Sequence, residues 1–104
     1  MKAHIFNYYT SKIAEIFGIE EGEIFEKSKR RDLVDARHML YYTCSKRPMR
    51  IVYIQKYMKE RGYDIGHASI VYGIEVAKKR VKSEKDYKSL IKTIESCLGE
   101  SYEL

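Results

Sequence analysis

Apolar residues recur three and four places apart along nearly the whole chain, and a single proline interrupts them. From about Ala3 to Phe17, the residues Ile5, Phe6, Tyr9, Ile13, Ile16 and Phe17 hold that spacing, with Gly18 as a natural stop. An acidic stretch within Ile19–Lys27, carrying Ile24 and Phe25 inward, predicts a short helix. A third helix from Asp32 to Arg47 puts Leu33, Ala36, Leu40 and Cys44 on one face and ends before Pro48. A fourth, Ile51 to Arg61, turns Ile51, Ile54 and Met58 inward and stops at Gly62. The turn from Gly62 to Gly66 leads into a helix from His67 to Lys82 with an inward stripe of Ile70, Ile74, Ala77 and Val81. The last helix, Glu84 to Leu98, starts at the cap Ser83 and buries Tyr87, Leu90, Ile91, Ile94 and Cys97.

Runs alternating in valine or threonine, as a sheet would need, are absent. The pattern therefore predicts an all-α fold of five to six helices. A length of 104 residues with 44% apolar side chains makes this one domain, 1–104, with one modest core. Most of the ten tyrosines, among them Tyr41, Tyr42, Tyr53 and Tyr57, are expected to be half-buried packing residues.

Charge is unevenly distributed along this frame. Residues 1–26 carry two cations against five glutamates, whereas residues 27–61 carry eleven cations against three acids. Residues 62–104 balance at seven of each. Four of the five residues from Lys27 to Arg31 are cationic, and the run feeds straight into an apolar helical stripe. A fixed cluster of positive charge on a folded support is what phosphate binding needs. The plainer reading is the solvated surface of a basic protein.

Other chemistries find little support. His4, His38 and His67 do not pair with a cysteine or carboxylate at ligand spacing, so no metal or other cofactor is expected. No arrangement points to a nucleophile and its base, and the chain is not expected to be an enzyme. Cys44 and Cys97 lie on apolar stripes as ordinary buried thiols of a reducing compartment. No secretory leader and no spanning apolar stretch are read, so the expectation is a cytoplasmic protein off the membrane, at the nucleoid or in a host cytoplasm if phage-encoded.

Several segments resemble the C-terminal DNA-binding domain (domain IV) of the bacterial replication initiator DnaA. Ile13 to Ile19 is similar to that domain's opening helix, and Glu23 to Ser28 to the short acidic helix before its basic loop. Lys29 to Arg37 resembles the loop and the helix it enters, and Asp86 to Ile94 the terminal helix. The segments run in the same order from about residue 9 to residue 97. The resemblance implies a Trp-repressor-like helix-turn-helix, its second helix in the major groove and its basic loop on the neighbouring backbone and minor groove.

Carried over by position, Lys29 or Arg30 matches the minor-groove basic residue, and Arg37 an arginine that reaches a phosphate. The family's major-groove run Asp-His-Thr-Thr, with a further His three places on, reads here Gly66-His67-Ala68-Ser69 with Tyr72. The aspartate and one hydroxyl are gone, and the turn before His67 is longer than the family's. A different or looser target follows. No Gly-x-x-x-x-Gly-Lys-Ser/Thr loop is present, so ATP-driven strand opening is not expected of this chain.

The DNA-binding residues expected from all this are Lys27, Lys29, Arg30, Arg31, Arg37, His67, Ala68, Ser69 and Tyr72. Lys46, Arg47 and Arg50 lie near them in sequence. About five phosphate contacts would give a log–log salt slope near −4 to −5. The expected function is double-stranded DNA binding, as a phage- or plasmid-type regulator of replication or transcription. The alternative is a structural or adaptor protein that docks a protein partner or a second copy, or coats nucleic acid without reading it.

Overall fold

The helices begin and end where backbone chemistry requires. In the computed structural model, which describes residues 2–102 and the side chains of 2–96, the order is α1 (Lys2–Phe17), α2 (Glu21–Ile24), α3 (Arg31–Lys46), α4 (Ile51–Glu60), α5 (His67–Ser83) and α6 (Lys85–Tyr102). No strand occurs among the described residues, so the all-α expectation holds. Gly18 and Gly62 end α1 and α4 at φ +67° and +92°, a region that favours glycine. At each, two amides close the helix: Gly18 and Ile19 donate to the Glu15 and Ala14 carbonyls, Gly62 and Tyr63 to those of Lys59 and Met58. At α2, the Glu20 amide donates to Glu23 Oε1 at 2.9 Å, which helps hold so short a helix.

Helix α3 is the axis of the molecule and touches each of the other five helices, α1 and α5 most extensively. Its buried residues Leu33, Ala36, Met39, Leu40 and Cys44 cover more than one face, as a central helix must. Against it pack Phe6, Tyr9 and Ile13 of α1, Ile54 and Met58 of α4, Ile70, Ile74 and Ala77 of α5, and Tyr87, Ile91 and Ile94 of α6. The inward stripes therefore match the sequence pattern, with two departures. Ile16 is exposed at the edge of α1, and Tyr41 and Tyr42 are buried rather than half-buried, at 1% and 8% exposed. Both tyrosines lie on the central helix, where neighbours on several sides leave little exposed surface. Cys44 is a buried free thiol whose pKa burial pushes well up, while the Cys97 side chain lies outside the described residues.

The approach of α5 to α3 depends on Gly73. A Cβ at this helical position would stand 2.8 Å from His38 Cδ2 and 2.9 Å from Tyr41 Cδ2. Glycine inside a helix costs about 1 kcal/mol relative to alanine. Here its missing side chain lets the two backbones come close enough to bury Ile70 and Ile74. That packing fixes where the N-terminal end of α5 emerges.

Candidate nucleic-acid interface

The basic loop is held from below by Arg37. This residue is 4% exposed, one turn and a half into α3. Its Nε donates to the Ile24 carbonyl at 2.7 Å, its Nη1 to the Ser28 carbonyl at 2.9 Å, and its Nη2 to the Glu26 carbonyl. The last carbonyl of α2 and two of the α2–α3 connection are thus gathered on one planar guanidinium. The same group lies 4.7 Å from the Tyr63 ring, in the turn between α4 and α5. Arg37 therefore ties the loop to that turn. Arg37 lines the cleft described below, but its burial and the three donors already taken by backbone tell against the phosphate contact expected of it.

Further contacts fasten the loop and the turn together. Lys27 Nζ lies 3.4 Å from the Asp64 carbonyl and 5.9 Å from the Tyr63 ring. The Ser28 hydroxyl accepts from the Arg30 amide at 3.1 Å, and Gln55 Nε2 donates to the Ile65 carbonyl at 3.0 Å. Residues 27–29 consequently stand across from the start of α5. Between them is a cleft of about 540 Å³, with Lys27 and Lys29 on one rim and Ala68, Ser69 and Tyr72 on the other. Tyr63, His38 and Tyr41 also line it. With Arg37, which also lines it, six of the nine residues expected from sequence thus share one concavity.

The other three are placed differently. Arg31 is fully out in solvent, its side chain 90% exposed and its Nε 3.7 Å from Asp35. It lines a smaller depression of about 360 Å³ with Lys29, Tyr72, Val76 and Arg80, so it borders the same face. His67 is exposed at the first residue of α5 and lies outside the cleft lining. Arg30 turns away from both depressions, with Nε 2.7 Å from Asp32 Oδ1 and Nη2 3.1 Å from Glu23 Oε2. Its hydrogen bonds to Asp32 and Glu23 raise its own pKa. They lower those of Asp32 and, after the Glu20 amide, Glu23. Two carboxylates offset the Arg30 charge, so of the Lys29 and Arg30 pair the lysine is the one facing the cleft.

Charge that is close in sequence also separates in space. The fifteen steps along α3 from Arg31 to Lys46 span about 22 Å at 1.5 Å per residue. At that far end Lys46 pairs with Glu95 at 3.3 Å, and Arg47 is partly buried. These residues do not extend the basic loop. Arg80 is committed to packing the helices together. It bridges Asp35 at 3.3 Å and Glu84 at 2.9 Å, joining α5 to α3 and to the start of α6.

Sequence reasoning passed over two cleft residues. His38 Nδ1 and the Tyr41 hydroxyl are buried polar atoms with no hydrogen-bond partner. Both sit next to Gly73, and the His38 ring meets the Tyr72 ring edge-on at 6.0 Å. Desolvation holds the His38 pKa below its ordinary 6.5, against the pull of Asp35. Burial pushes the Tyr41 phenol well up. The spacing 38, 41 on a helix was the available signal, since i and i+3 share a face.

No group of three or more His, Cys, Asp or Glu among the described residues is placed to hold a metal ion. None of the described helices is long and apolar enough to cross a membrane. No family profile, curated protein or solved structure matches the chain.

Proposed function

We propose that this chain is a double-stranded DNA-binding protein that presents α5 to the major groove and clamps the flanking backbone with the basic loop. The observation that carries the reading is the shared rim: Lys29 stands across one cleft from Ala68, Ser69 and Tyr72 at the beginning of α5. A helix start with exposed His67 and Ser69 offers short polar groups to base edges and free amides to a phosphate. Lys29 has no carboxylate partner among the described residues, and Arg31 is held only loosely. The resemblance to DnaA domain IV supports the same assignment of the two elements and a Trp-repressor-like arrangement of α4 and α5. On that reading the protein is a regulator of replication or transcription at a duplex site.

The contact set is smaller than sequence implied. With Arg37 and Arg30 occupied, Lys27, Lys29 and Arg31 remain, and about three phosphate contacts give a salt slope near −2.7. Ser69 and His67 accept or donate to several bases, so specificity rests on few groups. The test is selection of bound duplexes from a random pool at about 0.15 M salt. An enriched motif that Ser69→Ala or His67→Ala alters, with Arg31→Ala weakening all sequences alike, supports the reading. No enrichment, together with binding that vanishes as salt rises, would leave only coating or adaptor roles.

A further inference from the structure

The start of α5 protrudes from the molecule. Of its first six residues only Ile70 is buried, while His67, Ala68, Ser69, Val71 and Tyr72 are exposed. Three of those exposed residues are apolar. Ala68, Val71 and Tyr72 stand at i, i+3 and i+4, so they share one face of the helix. Ile70, Ile74 and Ala77 hold the opposite face in the core, and the apolar face is therefore turned to solvent. Val71 is 37% and Tyr72 66% exposed; the other exposed large hydrophobics among the described residues, Ile16 and Val52, lie on other helices. Scattered apolar side chains on a surface need no explanation, whereas a contiguous group on a protruding end marks a contact. The Tyr72 ring meets that of His38 edge-on at 6.0 Å, which helps hold it in place. One turn on, the exposed Glu75 pairs with Lys78 at 3.3 Å and ends the patch. From 68 to 72 the patch is about 6 Å long. A protein partner needs about 20–30 residues a side, but two base-pair steps of about 3.4 Å match this length. The border of the patch is cationic, since Tyr72 lines both depressions with Lys29 and the second with Arg31 as well. A duplex carries the complementary charge, and the apolar group its major groove presents is the thymine C5-methyl.

We propose that Ala68, Val71 and Tyr72 take up thymine C5-methyl groups in the major groove, so that the preferred duplex carries adjacent A·T pairs. This rests on the duplex-binding function proposed above and names what the reading helix selects. His67 and Ser69, beside the patch, make hydrogen bonds that several bases satisfy. The apolar face supplies the discrimination they lack. A cytosine in the same place sets its amino group against apolar side chains, where it finds no acceptor. Burying one methyl group is worth about fourfold in affinity, so two give a preference of about fifteenfold.

The most enriched duplex from the random-pool selection is remade with deoxyuridine in place of each thymine in turn, a change that deletes only the C5-methyl group. Affinity of the full chain for each duplex is read by fluorescence anisotropy. At adjacent positions deoxyuridine is expected to weaken binding about fourfold, and elsewhere to leave it within about twofold. Val71→Ala and Tyr72→Ala lie at exposed positions, keep the fold, and bind the thymine duplex more weakly. Each abolishes the deoxyuridine penalty at its own position, the coupling that a direct contact requires and a merely structural effect does not produce. An enriched duplex whose affinity no deoxyuridine changes beyond about twofold would overturn this proposal and leave duplex reading intact. Penalties that persist unchanged in both variants would do the same. Self-association that both variants abolish, with no deoxyuridine effect, would assign the face to a second copy of the chain instead. Failure to enrich any duplex would refute the function proposed above and this inference with it.

Discussion

Replacing Arg37 by methionine separates a structural cation from a DNA-binding one. The substitution keeps an unbranched stem and deletes three hydrogen bonds to the carbonyls of Ile24, Ser28 and Glu26. A bond to a charged donor is worth about 1.5–3 kcal/mol, and three on one group are not additive. The freed carbonyls lie on a connection near the surface, where water replaces part of the loss. The net expectation is a destabilisation of about 2–4 kcal/mol, a large share of the about 5–15 kcal/mol that holds a domain of this size. Followed by circular dichroism in urea, with m of about 1–3 kcal/mol/M, the midpoint falls by about 1–2 M. Under conditions where the variant is folded, its salt slope for duplex binding should match the parent's, while Arg31→Ala lowers the slope by about 0.9. An unchanged urea midpoint with a slope lowered by that amount would refute the reasoning and put Arg37 on a phosphate.

Gly73→Ala gains helix propensity but drives a methyl group against His38 and Tyr41, and Tyr41 has no room to retreat. A net loss of about 1–2 kcal/mol is expected by urea unfolding; a gain in stability would show that α3 and α5 are not held this closely. Tyr9→Phe removes another buried hydroxyl without a partner, so stability should hold or rise by up to about 1 kcal/mol. A loss above about 1 kcal/mol would reveal a hidden hydrogen bond at that hydroxyl. Because His38 is held below its ordinary 6.5 by desolvation, the unfolded chain takes up its proton first as pH falls. The contribution of neutral His38 is therefore complete above 6.5 and declines from there down to the folded-state value. The urea midpoint should drop in that window and His38→Gln should flatten the drop; an identical pH profile in the variant would exclude His38 as the cause. Glu23, Asp32 and Glu84 act in a separate window, since their lowered pKa values put losses below the ordinary 4.5, 3.8 and 4.5.

The helix boundaries were legible in the sequence because they depend on local chemistry. A 3.6-residue apolar period, glycine in the left-handed region at 18 and 62, and a proline at 48 each act over a few residues, so one chain segment reveals them. The same holds for the basic loop as an element: four of the five residues 27–31 are cationic in any fold. The place of Lys29 opposite Ser69 was anticipated only through the family resemblance, and no spacing rule would have supplied it. What each cation does was not legible at all. Lys29 and Arg30 are adjacent and similar in charge, yet one faces the cleft while the other meets Glu23 and Asp32. Arg37 and Arg31 lie on one helix, yet one is buried under the loop and the other is in solvent. A cation's role depends on which carbonyls and carboxylates surround it, and those arrive from segments far apart in the chain. Gly73 and the Tyr41 hydroxyl follow the same rule: only the approach of α5 to α3 makes the one a packing requirement and the other an unsatisfied group. Sequence determined the helices and the sign of their surfaces; tertiary structure decided which charges remain free, because burial and pairing are properties of neighbours rather than of residues.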